Sequence, residues 1–180
     1  MKISVVMTSL AVAAFVAPST CVAQMHKQFV NSEQVNLIRS TCQTVMGIGY
    51  QNSVVLEACM QSLADTLSAK NEGDMTSRAN KDCTQQGLSR GTPAFSTCVI
   101  KGQKAYAASW PSAPLTPTGP AAPLTFHSQQ EPEGYYGASF DTKRHREQLS
   151  CAQIGIGAAS PAFGHCVNNL DASLDTIRQR

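Results

Sequence analysis

The amino-acid sequence predicts an all-α protein with three disulfide-linked helical hairpins, two in tandem and a third after a proline-rich spacer. Three observations lead to this prediction. A cysteine-containing unit occurs three times, an apolar stripe with helical spacing follows each unit, and an even number of cysteines remains once a predicted export signal is removed. Repeats of one supersecondary unit are weighed first, because they determine the architecture of the whole chain.

The two clearest copies of the unit are residues 83–99 and 151–167. They read CTQQGLSRGTPAFSTCV and CAQIGIGAASPAFGHCV. Cys, Gly, an aliphatic residue, Ser or Thr, Pro-Ala-Phe, Cys and Val therefore fall at the same offsets in both. A looser copy, residues 42–60, has a slightly longer loop and lacks the Pro and the Phe.

Each unit predicts a helix, a stop, a short loop and a second helix. Gly87 and Gly155 stand four positions after a cysteine, where a glycine in the left-handed conformation can end a helix. The aliphatic residue after the glycine packs back on the last turn, and a Ser or Thr hydroxyl caps the next helix. Pro93 and Pro161 then occupy the first helical position, where a missing N–H costs nothing. The aliphatic positions are Ile48, Leu88 and Ile156, and the capping positions are Ser53, Thr92 and Ser160.

The second helix of each unit carries one apolar face, spaced i, i+3, i+4, i+7 and i+11. The first copy has Leu56, Cys59, Met60, Leu63 and Leu67, and the third has Phe163, Cys166, Val167, Leu170, Leu174 and Ile177. The middle copy has Phe95, Cys98, Val99 and Tyr106, with Gly102 weakening its centre. Leu56, Phe95 and Phe163 are expected to be structural anchors that face the opposing helix.

The incoming helices are less clearly marked. The first shows a stripe that consists of Val35, Ile38, Cys42 and Val45. Those of the second and third copies are mostly polar, so their limits are placed only near 75–86 and 139–154.

The cysteines are expected to pair within each copy. An antiparallel hairpin brings the last turn of one helix beside the second turn of the next, and a disulfide needs Cα atoms within about 7 Å. The predicted pairs are Cys42–Cys59, Cys83–Cys98 and Cys151–Cys166. Pairing between hairpins is the alternative, and it is less favoured because every copy carries its own pair.

The first 23 residues have the pattern of a secretory signal peptide. Lys2 precedes an apolar stretch over residues 3–16, and Cys21-Val22-Ala23 offers small residues at a cleavage site. The mature chain is therefore expected to be periplasmic or secreted, where disulfides persist. The alternative is a lipoprotein acylated on Cys21, although residues 18–20 fit a lipobox poorly. No second stretch approaches the length of a transmembrane helix.

The mature chain is divided into residues 24–108 with two tandem hairpins, residues 109–138 as a flexible linker, and residues 139–180 with the third hairpin. Proline recurs every third position from Pro111 to Pro123, a composition typical of an extended spacer. The alternative is a docking strip for a partner, with Trp110, Phe126, Tyr135 and Tyr136 as anchors. The sequence leaves open whether the third hairpin packs on the other two.

No catalytic, cofactor-binding or metal-binding residue is predicted. The cysteines lack C-x2-C spacing, and neither a nucleophile elbow nor a phosphate loop occurs. His165 beside Cys166 is interpreted as an exposed residue, and Asp171 and Asp175 as part of a solvated helix face. The basic residues 143–146 are interpreted in the same way, with Asp141 and Glu147 beside them. Charged residues make up only 14% of the chain, so nucleic acid is not an expected partner.

The unit C-x3-G-[LI]-x2-[GA]-[ST]-P-A-F-x2-C resembles a motif of small, exported bacterial proteins of uncharacterised function. The resemblance covers residues 83–99 and 151–167 well and residues 42–60 in part. It implies export and a helical hairpin fold, and it implies no chemistry.

The sequence thus favours an exported, non-enzymatic structural or binding protein of the bacterial cell envelope. Its expected partner is an envelope protein or a cell-wall component. The alternative is a periplasmic enzyme or thiol-redox protein with an unrecognised site.

Overall fold

The computed structural model describes residues 28–47, 53–113, 115 and 134–179. All regular structure within these ranges is helical, which confirms the predicted fold class. The helices are α1 (Ser32–Thr44), α2 (Ser53–Gln85), α3 (Pro93–Ser109), α4 (Phe140–Gln153) and α5 (Pro161–Arg178), with a 3₁₀ turn at Tyr135–Gly137 before α4. The predicted signal peptide with Cys21, the side chains of Ile48 and Ser53, and Phe126 lie outside this description.

The disulfides are Cys42–Cys59, Cys83–Cys98 and Cys151–Cys166, as predicted. Their Cα atoms are 6.0, 6.0 and 6.1 Å apart. Three disulfides fit an oxidising compartment.

None of the helices in the described ranges combines the length and apolar character needed to cross a membrane.

In the second unit, hydrogen bonds at the end of the first helix explain why the glycine lies four residues after the cysteine. The Leu88 N–H donates to the Cys83 carbonyl at 3.2 Å, and the Gly87 N–H donates to the Thr84 carbonyl at 3.0 Å. This is a Schellman motif, and it requires the positive φ of 80° that Gly87 adopts. Ile156 and Gly155 make the equivalent bonds to the carbonyls of Cys151 and Ala152, at 3.1 and 3.0 Å. The first cysteine is thus fixed in the last turn of its helix.

The structure confirms the predicted helix cap at Thr92, whereas the predicted cap at Ser160 is wrong. The Phe95 N–H donates to the Thr92 hydroxyl at 3.2 Å, so Thr92 caps α3 as expected. The Ser160 hydroxyl instead donates to the Gly157 carbonyl at 2.7 Å, and α5 has no side-chain cap. The Ser160 N–H also reaches that carbonyl at 2.9 Å, so Ser160 stabilises the loop before the helix.

Helix α2 is a single helix of 33 residues, whereas the sequence suggested a separate incoming helix near residues 75–86. The sequence between the two predicted helices contains no proline. Gly73 in this stretch costs only about 1 kcal/mol relative to alanine, and Lys70 and Asp74 form an i,i+4 ion pair at 2.9 Å. At about 1.5 Å per residue, α2 is roughly 50 Å long. The first two hairpins therefore share one helix.

Helices α1, α4 and α5 and the N-terminal half of α2 enclose one hydrophobic core. The third hairpin thus packs on the first, which answers the question that the sequence left open. The stripes of α2 and α5 point into this core, and Leu56 is 6% exposed while Phe163 is partly buried. The largest core side chains with less than 2% exposure are Ile38, Met46, Leu63, Ile156, Leu170 and Leu174.

The C-terminal half of α2 and helix α3 form a second part of the molecule, residues 75–109, which we call the arm. None of these residues belongs to the core. The buried apolar side chains of the arm are Met75, Ala79, Cys83 and Phe95. Gly102, which interrupts the apolar stripe of α3, lies against α2. A Cβ added there would lie 3.0 Å from the Ala79 Cβ, so glycine allows the two helices to approach closely.

Both ends of the predicted linker 109–138 pack against the rest of the molecule. Trp110 lies edge-on to Phe29 with ring centroids 6.3 Å apart, and Tyr135 is only 2% exposed. The Tyr136 hydroxyl donates to the Leu174 carbonyl at 2.9 Å. Trp110, Tyr135 and Tyr136 therefore make contacts within the molecule, while Phe126 lies outside the described residues.

Candidate functional site

A groove of about 800 Å³ runs along the arm between α2 and α3, and we call it the arm groove. Its floor contains Ala79 and Gly102, whose small size keeps the helices close. The Cys83–Cys98 disulfide also lines the groove, which extends about one helical turn beyond it to Gln86 and Ala94. The other lining residues are Asp82, Gln86, Ala94, Thr97, Lys101, Ala105 and Tyr106.

Two polar contacts join the helices of the arm. The Tyr106 hydroxyl donates to the Asp82 carboxylate, and the Gln103 amide donates to the Thr76 hydroxyl at 2.8 Å. The hydrogen bond to Asp82 raises the pKa of Tyr106, so its hydroxyl stays protonated as a donor. These contacts, together with the disulfide, set the width of the groove.

The lining of the arm groove suits binding better than catalysis. Asp82 and Lys101 supply one charge of each sign, and the rest of the lining combines small side chains with the polar groups of Gln86, Thr97 and Tyr106. The volume falls within the range of about 300 to 1,000 Å³ that is typical of ligand sites. The groove is open to solvent along its length, a shape that suits an elongated partner segment.

A second polar cluster lies in the core, where the turn before α4 meets that helix. The Tyr135 hydroxyl donates to Glu147 Oε1 at 2.7 Å, and Glu147 is 1% exposed. Arg144 Nη1 lies 3.6 Å from Glu147 Oε2 and Arg144 Nη2 donates to Asn168 at 3.0 Å. The hydrogen bond between Tyr135 and Glu147 thus joins the C-terminal end of the predicted linker to α4.

Burial dominates the electrostatics of this pair. Desolvation raises the pKa of Glu147, and the hydrogen bond from Tyr135 opposes that rise only in part. Desolvation, followed by the hydrogen bond to Glu147, also raises the pKa of Tyr135. The tyrosine therefore remains a donor across the whole neutral range.

A small pocket of about 190 Å³ opens beside Glu147 between α4 and α5. Its lining combines acidic and basic side chains with one exposed aromatic ring: Phe140, Lys143, Arg144, Glu147, Asp171, Asp175 and Arg178. Acidic and basic side chains thus face one another in this pocket. The described residues hold no group of three or more His, Cys, Asp or Glu side chains placed to bind a metal ion.

We expect the raised pKa of Glu147 to make the protein less stable as the pH rises. The folded state holds the Glu147 proton to a higher pH than the unfolded chain does, so between the two pKa values the folded state binds more protons. The free energy of unfolding should therefore fall through that window. Glu147→Gln keeps an acceptor for Tyr135 but cannot ionise, so its urea unfolding should show less of this fall. An identical pH dependence in both proteins would contradict the assignment.

The histidines and the two aspartates of α5, for which no site was predicted, differ in their exposure to solvent. His165 is exposed beside the buried Cys166, as expected, and His145 is also exposed. Asp175 is exposed and Asp171 partly so, and both line the pocket beside Glu147. His26 and His127 lie outside the described residues.

Two features of the candidate sites were not anticipated. Glu147 was interpreted as solvated, although it precedes Cys151 by four positions and so lies on the same helical face. The arm groove was not singled out either, although it lies within one predicted hairpin, where Asp82 adjoins Cys83 and Lys101 follows Cys98 by three positions. The helical spacing from Cys151 carried the first signal, and the positions beside the cysteines of the second unit carried the other.

Comparison with protein-family models, curated proteins and solved structures finds no match for this chain, so the arm groove is interpreted from its own geometry.

Proposed function

We propose that this chain is an exported, non-enzymatic binding protein of the bacterial cell envelope, with the core as scaffold and the arm groove as binding surface. The observation that supports this most is the position of the groove. It lies on a part of the chain that contributes nothing to the core, and Thr97, Lys101 and Ala105 on its rim are exposed.

The positions of the first described residues are compatible with export and cleavage. Val30 is fully buried in the core, and the Phe29 N–H donates to the Ser68 hydroxyl at 2.8 Å. Cleavage after Ala23 would leave these contacts within the mature chain. The three disulfides would then form in the compartment that receives it.

The shape of the arm groove favours a protein segment over a glycan. Ala94 and Ala105 are exposed along the groove, and their small side chains leave space there for the side chains of a bound segment. Asp82 and Lys101 can orient that segment by charge. A cell-wall glycan would be expected to pack on several flat aromatic surfaces, whereas the lining of the arm groove contains one aromatic ring, that of Tyr106. The proposed partner is therefore an envelope protein.

The export step has its own expected result. A precursor expressed in a bacterium should appear in the periplasmic or secreted fraction with Gln24 as its first residue, as measured by N-terminal sequencing and intact mass. A lipid-modified Cys21 at the N-terminus, or an uncleaved precursor in the cytoplasm, would contradict the proposal.

A photo-crosslinking amino acid at Thr97 tests the binding surface. The same amino acid at Ala108 is the control, because Ala108 is exposed on the same helix but does not line the groove. On intact cells, the Thr97 protein should form a discrete protein adduct that the Ala108 protein does not form. Lys101→Glu should reduce the yield of that adduct. Equal labelling at both positions, or adducts to glycan alone, would overturn the proposed surface.

A further inference from the structure

We infer that the Cys83–Cys98 disulfide is a site of thiol–disulfide exchange, at which an external dithiol attacks Cys98 Sγ. Its opening releases α3 from α2, while both disulfides of the core stay closed. This inference concerns covalent chemistry of the arm and does not depend on whether the arm groove binds an envelope protein.

Access to solvent separates this disulfide from the other two. The four core cysteines, Cys42, Cys59, Cys151 and Cys166, are 0% exposed. Cys83 is 1% exposed, whereas Cys98 is partly exposed and lines the arm groove. A thiolate must reach a sulfur atom to exchange with it, so access sets the order of reaction.

The backbone geometry around the disulfide is otherwise the same in the second and third units. Cys83 and Cys151 occupy the same position in a Schellman motif, and the Cα atoms of each pair are 6.0 and 6.1 Å apart. Each of these two disulfides also spans 15 positions of the chain. A difference in their rates of reduction would therefore arise from their surroundings.

Lys101 and Asp82 both line the groove near this disulfide, and the Asp82 carboxylate accepts a hydrogen bond from the Tyr106 hydroxyl. Lys101 follows Cys98 by three positions on α3, so its positive charge lies on the same face and beside the groove. Gln86 Oε1 lies 4.0 Å from Cys98 Sγ, but the Gln86 side chain is exposed and can move aside. A thiolate can thus enter through the groove without unfolding the core.

The exchange proceeds in two steps that balance. The external thiolate forms a bond to Cys98 Sγ, the bond between Cys98 and Cys83 breaks, and Cys83 leaves as a thiolate that takes up a proton. The second thiolate of the external dithiol then attacks the external sulfur of the mixed disulfide, and Cys98 leaves and is protonated. Two electrons pass to the cysteine pair, and the dithiol becomes a disulfide.

The contacts that hold α3 after reduction are noncovalent. They include the Tyr106–Asp82 and Gln103–Thr76 hydrogen bonds and the burial of Phe95. Beyond the end of α3, the Trp110 ring contacts Phe29, and the Ala113 N–H donates to the Val30 carbonyl at 2.9 Å. The core retains two buried disulfides and its apolar cluster. Exchange at Cys98 would therefore alter the arm groove and leave the scaffold folded.

Timed reduction of the oxidised mature protein tests the inference. The protein is treated with dithiothreitol in native buffer and quenched with iodoacetamide at intervals, and the labelled cysteines are identified by peptide mapping. We expect Cys83 and Cys98 to be labelled well before the four core cysteines, with most of the helical circular dichroism retained. Labelling of core cysteines first, or of all six at one rate, would overturn the inference.

A matched pair of variants tests whether access through the groove is the cause. Ala94 and Ala108 are both exposed on α3, but only Ala94 lines the groove, one turn from Cys98. Ala94→Phe should slow the reduction of Cys83–Cys98 several-fold, and Ala108→Phe should leave it unchanged. If both variants were reduced at the rate of the parent protein, access through the groove would be excluded as the cause.

Discussion

Replacement of Leu170 by alanine is expected to cause one of the largest losses of stability among single substitutions in this protein. Leu170 is fully buried at the centre of the α5 stripe, in the cluster that joins the first and third hairpins. Deleting such a side chain in a packed core costs about 2 to 5 kcal/mol, because the lost burial adds to the cavity that remains. Urea unfolding followed by circular dichroism would measure the change.

Leu149→Ala is the control for this prediction. Leu149 is 43% exposed on α4, so the same truncation removes little buried surface. Its effect should stay within about 0.5 kcal/mol, as is usual for exposed positions. A similar loss in both variants would contradict the position of the core.

Removal of the Cys151–Cys166 disulfide is the second change with a large expected effect. Both cysteines are fully buried, and the link spans 15 positions. In the chain-entropy model a loop of this length contributes about 3 kcal/mol. At about 2 to 4 °C per kcal/mol, the double substitution Cys151→Ala, Cys166→Ala should lower the melting temperature by roughly 6 to 12 °C.

The arm supplies the matched control for the disulfide. Cys83→Ala with Cys98→Ala removes a link of the same span, but neither residue belongs to the core. The main unfolding transition should then move little, while the helical signal of α3 is lost at a lower temperature. An equal fall of the main transition in both double variants would mean that the core and the arm unfold as one unit.

Much of the fold follows from spacing along the chain. The cysteine pairs, the glycine stops and the apolar stripes of α2 and α5 are local patterns, and each is confirmed. They could be predicted because a hairpin with a short loop leaves its two cysteines few other partners.

The relations between the hairpins could not be predicted in the same way. An apolar stripe shows that a helix face is buried, but it does not show which helix covers it. The continuity of α2 across Gly73 depends on packing along its length, and a single glycine neither requires nor forbids a break. The arm groove lies within a single predicted hairpin, but its shape depends on the close approach of Ala79 and Gly102, which no motif in the sequence marks.

The interior polar contact shows a further limit of pattern analysis. Glu147 looked solvated because basic residues precede it, yet its position relative to Cys151 places it in the core. The charged neighbours of Glu147 favoured exposure, whereas its helical position relative to Cys151 favoured burial. Glu147 is buried, and the Tyr135 hydroxyl donates a hydrogen bond to it at 2.7 Å. That donor comes from a segment that composition alone had assigned to a linker.

Native-state hydrogen exchange, resolved by peptide, tests most directly the division of the chain into a stable core and a separately held arm. In the oxidised protein, amides of α3 should open at a lower free energy than those of residues 55–67 and 166–174, because few buried apolar side chains hold the arm. Reduction of Cys83–Cys98 should widen that difference. Equal protection of α3 and the core, before and after reduction, would contradict the account.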